Sequence, residues 1–112
     1  MLKAENRFSL RYFRKEIETK GKSFRTPYFT ILFLTDPKFL SPKFAFLISK
    51  KTLNLSVDRH SLKRKLSQII RDELSDINPR LKVIIIPSFK SLTLNSLELK
   101  EALLYAISLC TL

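Results

Sequence analysis

The chain has 112 residues, of which 45% are hydrophobic, and its 21 Lys and Arg against 10 Asp and Glu give a formal charge of +11. This balance excludes a disordered basic tail and predicts one folded domain over residues 1–112. A single Gly excludes a glycine-rich phosphate loop, and a single Cys excludes an intrachain disulfide. No apolar run approaches the roughly 20 residues that span a bilayer. We therefore expect a cytoplasmic protein without a membrane segment.

The first predicted element is a helix over residues 3–18 that carries an aromatic pair. Phe8 and Tyr12 lie four residues apart and therefore share one face of this helix. The basic stretch Lys20-Gly21-Lys22 interrupts the helical pattern and predicts a loop.

Two strands are predicted next. The stretch 24–35 is rich in aromatic and β-branched residues, with Pro27 near its start, and residues 43–50 form a second such run. Turn residues separate the two runs, so we expect them to pair as an antiparallel hairpin.

A basic amphipathic helix follows and is predicted to end near residues 76–79. Asp58 is the expected N-cap, so the helix would begin at or just after Arg59. Its apolar residues form one stripe: Leu62, Leu66, Ile69, Ile70, Leu74 and Ile77. A second stripe holds His60, Arg64 and Arg71, and the first turn holds Arg59, His60 and Lys63, where free N–H groups attract anions. A charged helix face is also typical of a surface that only contacts solvent, but the net charge of the whole chain favours a polyanionic partner.

The remaining elements are a strand and a helix. The apolar run 81–86 predicts a central strand buried on both faces. Asn95 and Glu98 resemble a capping box that opens a helix over 96–109, whose apolar face should cover the sheet: Leu99, Leu103, Ala106, Ile107 and Cys110. The order α-β-β-α-β-α predicts a small two-layer α+β domain, with helices on a mostly antiparallel sheet and a βαβ unit formed by 43–50, 59–77 and 81–86.

The residues provide no catalytic constellation. The one His and the one Cys lie fifty residues apart, which fits no zinc site, and the acidic residues suggest no carboxylate pair or two-metal site. We therefore expect neither catalytic residues nor metal ligands in the protein chain. His60 is interpreted as a hydrogen-bonding or stacking group that faces RNA, in preference to a general base.

Two motifs resemble the protein subunit of bacterial ribonuclease P. They are the run Phe44-Ala-Phe-Leu-Ile-Ser-Lys-Lys51 and, seven residues later, Arg59-His-Ser-Leu-Lys-Arg64. In that family a strand ending in Ser-Lys-Lys or Ala-Lys-Lys precedes a helix with Arg-Asn-Arg-x-Lys-Arg and then Arg-Glu. The N-terminal LKAENRF, KGKSF, LKVIII and the closing helix also fall in the family's order. The chain resembles a divergent member of this family, because it departs from the signature at four positions: His60 replaces Asn, Ser61 replaces the second Arg, and Ser67-Gln68 replace Arg-Glu.

The resemblance implies a cofactor for a catalytic RNA that removes the 5′ leader from precursor tRNA, with Mg²⁺ bound through the RNA subunit and the substrate. Its partners would be ribonuclease P RNA and precursor tRNA, without an obligate protein partner. The implied RNA contacts are Lys50, Lys51, Arg59, His60, Lys63, Arg64 and Arg71. A cleft between the first helix and the sheet would receive the leader, bordered by Phe8, Tyr12, Lys51, Arg59 and His60. The family's βαβ crossover is left-handed.

Two other functions stay open on the residues alone. A general RNA-binding or ribosome-associated protein of related fold would bind RNA tightly without preference for a leader. An interaction module would direct the basic helix at an acidic protein or a membrane surface, although the free side of this helix is less apolar than an interfacial helix requires.

Overall fold

The computed structural model describes residue 6 and residues 21–35, 37–38, 41–77 and 79–111, so the predicted first helix lies, apart from Asn6, outside the described residues. Four strands form one sheet: β1 Lys22–Arg25, β2 Phe29–Thr35, β3 Lys43–Phe46 and β4 Leu81–Pro87. Their order across the sheet is β1-β2-β4-β3. Two helices of the described part pack on this sheet: α1 Ser56–Asp72 and α2 Ser96–Ser108. Short 3₁₀ helices lie at Leu74–Asp76, Phe89–Thr93 and Leu109–Thr111.

The central strand is β4, which pairs on both sides. It runs antiparallel to β2, with Ile31 opposite Ile85, and parallel to β3, with Phe44 beside Val83. Residues 81–85 are all buried, as expected for a strand covered on both faces. The central strand and the βαβ unit are therefore confirmed, as is the α+β class with a mostly antiparallel sheet. The left-handed crossover stays a prediction.

The predicted hairpin between residues 24–35 and 43–50 is wrong, because β4 lies between β2 and β3. The hairpin consists of β1 and β2. The chain reverses between these strands at Thr26, whose hydroxyl oxygen accepts the amide N–H groups of Tyr28 at 3.3 Å and Phe29 at 3.0 Å. Lys22, predicted to lie in a loop, is the first residue of β1, because this strand (KSFR) has Phe24 as its one strong β-former and so carries little signal of its own. The predicted single strand over 24–35 is therefore divided by the turn at Thr26.

The inner face of the sheet and the two helices share one core. The stripe predicted for the basic helix is confirmed: Leu62, Leu66, Ile70 and Ile77 are buried, with Ile69 and Leu74 partly buried against them. The predicted face of the last helix is also buried. Each fully buried Leu or Ile contributes roughly 1.5–3 kcal/mol. The stripe fixes the rotation of α1, so its polar side must face away from the sheet.

The start and the end of α2 are both defined by local contacts. The Asn95 side-chain oxygen accepts the Glu98 amide N–H at 2.8 Å, and the Glu98 carboxylate accepts the Asn95 amide N–H at 3.1 Å, which confirms the capping box. Beyond the helix, Cys110 is buried and its thiol donates to the Ala106 carbonyl oxygen at 3.7 Å. Burial raises the pKa of the Cys110 thiol to about 12, so this sulfur is a protonated core atom at neutral pH.

Candidate nucleic-acid interface

The outward side of α1 is a basic surface. The helix carries five Lys or Arg against two Asp. Arg64, Lys65 and Arg71 are exposed and Lys63 is half-buried. Arg64 and Arg71 are seven residues apart, so they lie on the same side of the helix, about 10 Å apart along its axis. None of these four cations forms an ion pair with an acidic residue of the described part of the chain.

Lys50 and Lys51 lie in a turn just before α1. The amide N–H groups of Thr52 and Leu53 both donate to the Ser49 carbonyl oxygen at 3.1 Å, and this contact closes the turn Ser49–Leu53. Lys50 and Lys51 occupy its middle and are exposed. The sequence predicts a strand that reaches residue 50, but β3 ends at Phe46. The apolar pattern continues beyond β3 because Ile48 is buried in the core, although Ile48 is not part of a strand.

The start of α1 differs from the prediction. The helix begins at Ser56, the N-cap is Leu55 without a side-chain cap, and Asp58 lies inside the first turn. The predicted Asp58 cap is therefore wrong, although a carboxylate in the first turn still complements the helix dipole. His60 and Lys63 consequently lie beyond the first turn. At its other end the helix stops at Asp72, and the stretch predicted as its last turn forms the 3₁₀ helix Leu74–Asp76.

Arg59 differs from the other cations of the predicted site. Its Nη1 donates to the carbonyl oxygens of Leu53 at 2.8 Å and Asn54 at 2.9 Å, and its side chain is half-buried. The guanidinium therefore binds the chain's own backbone immediately before α1.

A shallow groove runs along the N-terminal half of α1. It is lined by Ser56, Val57, His60, Ser61 and Arg64. Val57 is 75% exposed and lines this groove together with His60 and Arg64. The groove thus combines an apolar wall with a guanidinium and an imidazole, a combination that can bind a sugar or base together with its phosphate. The sequence pattern missed Val57, because an isolated aliphatic residue outside the buried stripe carries no signal of its own.

The predicted site residues fall into two groups. Lys50, Lys51 and the five named positions between 59 and 71 lie in the described part of the chain, along α1 and the turn before it. Phe8 and Tyr12 lie outside the described residues, so the aromatic wall of the leader cleft stays a prediction. In the described ranges, no three His, Cys, Asp or Glu residues are placed to hold a metal ion. No helix there is long and apolar enough to cross a membrane.

The chain is similar to known proteins in both sequence and fold. A family model described as Ribonuclease P matches residues 2–109. A ribonuclease P protein component from a Pseudanabaena species is 29% identical over 85 residues, which cover 76% of this chain and 73% of that protein. The ribonuclease P protein from Thermotoga maritima shares 24% identity at a TM-score of 0.81, over 90% of this chain and 94% of its own. The one from Staphylococcus aureus shares 19% identity at a TM-score of 0.82, over 93% and 94%. At these identities the solved structures show a common fold.

Proposed function

This chain belongs to the ribonuclease P protein family, and from that premise we propose that it binds ribonuclease P RNA and the 5′ leader of precursor tRNA and so assists removal of the leader. The family is that of the protein component of a ribonucleoprotein endoribonuclease, in which the protein is not the catalytic part. Catalysis is assigned to the RNA subunit, with Mg²⁺ held by that RNA and the substrate. The protein supplies a surface that holds polyanions in place.

The observation that carries this proposal is the basic surface formed by α1 and the turn before it. Arg64 and Arg71 share one side of a helix whose rotation is fixed by its buried stripe, and Lys50 and Lys51 flank its start. Lys and Arg contacts to phosphates supply affinity without reading sequence. Such a surface suits a structured RNA partner of fixed shape.

The leader requires a different kind of contact, because its sequence varies between tRNAs. Aromatic rings accept any base by stacking, at roughly 1–3 kcal/mol per base. We assign this role to Phe8 and Tyr12, with Lys51 and His60 at the border of the cleft; both of the latter are exposed. The aromatic pair can therefore stack on leader bases of different sequence.

The departures from the family signature have structural counterparts. Ser67, at a position where the signature has Arg, is buried. Gln68, in place of Glu, donates to the Asp72 carboxylate at 2.8 Å. Ser61 is exposed in the groove beside Arg64, where a missing guanidinium removes one phosphate contact. The groove therefore has fewer cations than the signature prescribes.

A comparison of binding affinity for tRNA with and without a 5′ leader distinguishes this function from general RNA binding. The complex of this protein with its cognate ribonuclease P RNA should bind a precursor tRNA with a single-stranded leader more tightly than the same tRNA without one. Replacing both Phe8 and Tyr12 by Leu should remove the difference while binding to the RNA subunit persists. Equal affinities for the two tRNAs in the unsubstituted complex would instead indicate a general RNA-binding protein.

A further inference from the structure

Arg59 holds together the segment that enters α1. Its Nη1 group contacts two consecutive carbonyl oxygens, those of Leu53 and Asn54, at 2.8 and 2.9 Å. Long side chains on a helix lean toward its N-terminus, so a residue in the first turn can reach the chain that precedes the helix. A charged donor forms a stronger hydrogen bond than a neutral one. These contacts fasten the end of the Ser49–Leu53 turn to the first turn of α1.

The turn is also closed by two of its own side chains. The hydroxyl groups of Ser49 and Thr52 lie 3.1 Å apart, and the Thr52 amide N–H donates to the Ser49 hydroxyl at 3.2 Å. Lys50 and Lys51 lie inside this closure, between Ser49 and Thr52, with exposed side chains. The position of both ammonium groups relative to α1 therefore depends on this closure and on the contacts of Arg59.

At the start of α1, the contacts of Arg59 are side-chain contacts between the helix and the chain before it. Leu55 occupies the N-cap and provides no side-chain acceptor for the first amides. A helix start of this kind lacks the side-chain oxygen that usually accepts an amide N–H of the first turn. The hydrogen bonds of Arg59 do not replace such a cap, because the guanidinium donates to carbonyl oxygens, but they connect the first turn of α1 to the chain that precedes it.

We infer that Arg59 is a positioning residue, which holds the Ser49–Leu53 turn so that Lys50 and Lys51 meet the RNA at a fixed distance from α1. This inference rests on the proposed function, since it assigns Lys50 and Lys51 to the RNA interface. It changes the role of Arg59 from a phosphate contact to a contact with the protein's own backbone. Holding the turn before binding removes an ordering cost that RNA would otherwise have to offset.

The first test uses amide hydrogen exchange in the free protein, with folding confirmed by circular dichroism. Arg59→Ala should speed exchange of the amides of Thr52 and Leu53, whereas the matched variant Arg64→Ala should leave both unchanged. Arg59→Lys keeps the charge without the planar fork and should also speed exchange. Unchanged exchange in both Arg59 variants would overturn the inference.

The second test measures coupling between Arg59 and the two lysines through the salt dependence of RNA binding. In the unsubstituted background, Lys50→Ala with Lys51→Ala should reduce the slope of log K against log salt by about 1.4–1.8, for two phosphate contacts. In the Arg59→Lys background, the same pair should reduce the slope by less than half as much. Equal reductions in both backgrounds would contradict a positioning role. Absence of RNA binding by the unsubstituted protein would instead refute the proposed function.

Discussion

Replacing Arg64 and Arg71 together by Ala should weaken RNA binding and reduce its dependence on salt. The two side chains share the outward side of α1 and are exposed, so their loss opens no cavity. Substitutions at such surface positions usually change the free energy of unfolding by less than about 0.5 kcal/mol. The variant should therefore fold as the original chain does, and any loss of binding can be assigned to the interface.

The size of the effect follows from counterion release. Each phosphate contact contributes about 0.7–0.9 to the slope of log K against log salt, so two contacts contribute about 1.4–1.8. Between 50 and 200 mM salt, the affinity of the unsubstituted chain should therefore fall by a further factor of about 10 relative to the variant. Each single variant should show about half of the change in slope.

The assay is titration of the cognate ribonuclease P RNA with protein at several salt concentrations. Lys100→Ala is the control for each single variant, because it also removes one positive charge. Lys100 pairs with Glu73 at 3.4 Å, beyond the C-terminal end of α1 and away from the groove. The reasoning is refuted if the Arg variants keep the original slope, or if Lys100→Ala reduces the slope as much as they do.

Four further results are expected. Ser61→Arg should restore a guanidinium to the groove and raise the slope of log K against log salt by about 0.7–0.9. The control Ser75→Arg, at an exposed position beyond α1, should raise this slope less. Equal increases would count against a contact specific to the groove. Leu66→Ala should reduce the free energy of unfolding by about 2–5 kcal/mol in urea titrations, because Leu66 is fully buried, and a loss below 1 kcal/mol would contradict its place in the core. Asn95→Ala should cost about 1 kcal/mol of stability by removing the capping box, and an unchanged melting temperature would be inconsistent with that cap. Finally, folding raises the thiol pKa of Cys110 from 9.0 to about 12, so the unfolded chain loses this proton first and the free energy of unfolding should fall as pH rises above 9. The fall should be smaller in Cys110→Ala. If the free energy of unfolding has the same pH dependence in both proteins, this thiol is not its source.

The helices α1 and α2 and the central strand β4 could be predicted because their signals are periodic or local. The stripe of α1, the capping box of α2 and the apolar run of β4 each depend on residues close together in the chain. The βαβ unit followed from the order of these elements. The resemblance to the ribonuclease P family rested on the motif before and within α1, and the comparisons confirm the family.

Strand pairing and the details of the site could not be predicted in the same way. The pairing of β2 with β4 joins residues about fifty positions apart, and no local pattern distinguishes it from a hairpin with β3. The β1–β2 turn depends on hydrogen bonds of the Thr26 side chain that composition does not reveal. A basic motif likewise does not show whether Arg59 faces a phosphate or a backbone carbonyl, and the structure supplies that contact.

The most direct test of the central claim is cleavage of a precursor tRNA by its cognate ribonuclease P RNA at low Mg²⁺, with and without this protein. The account predicts that the protein stimulates cleavage at the mature 5′ end and that Arg64→Ala reduces the stimulation, while Lys100→Ala does not. Tight binding of the RNA without any stimulation of cleavage would contradict it.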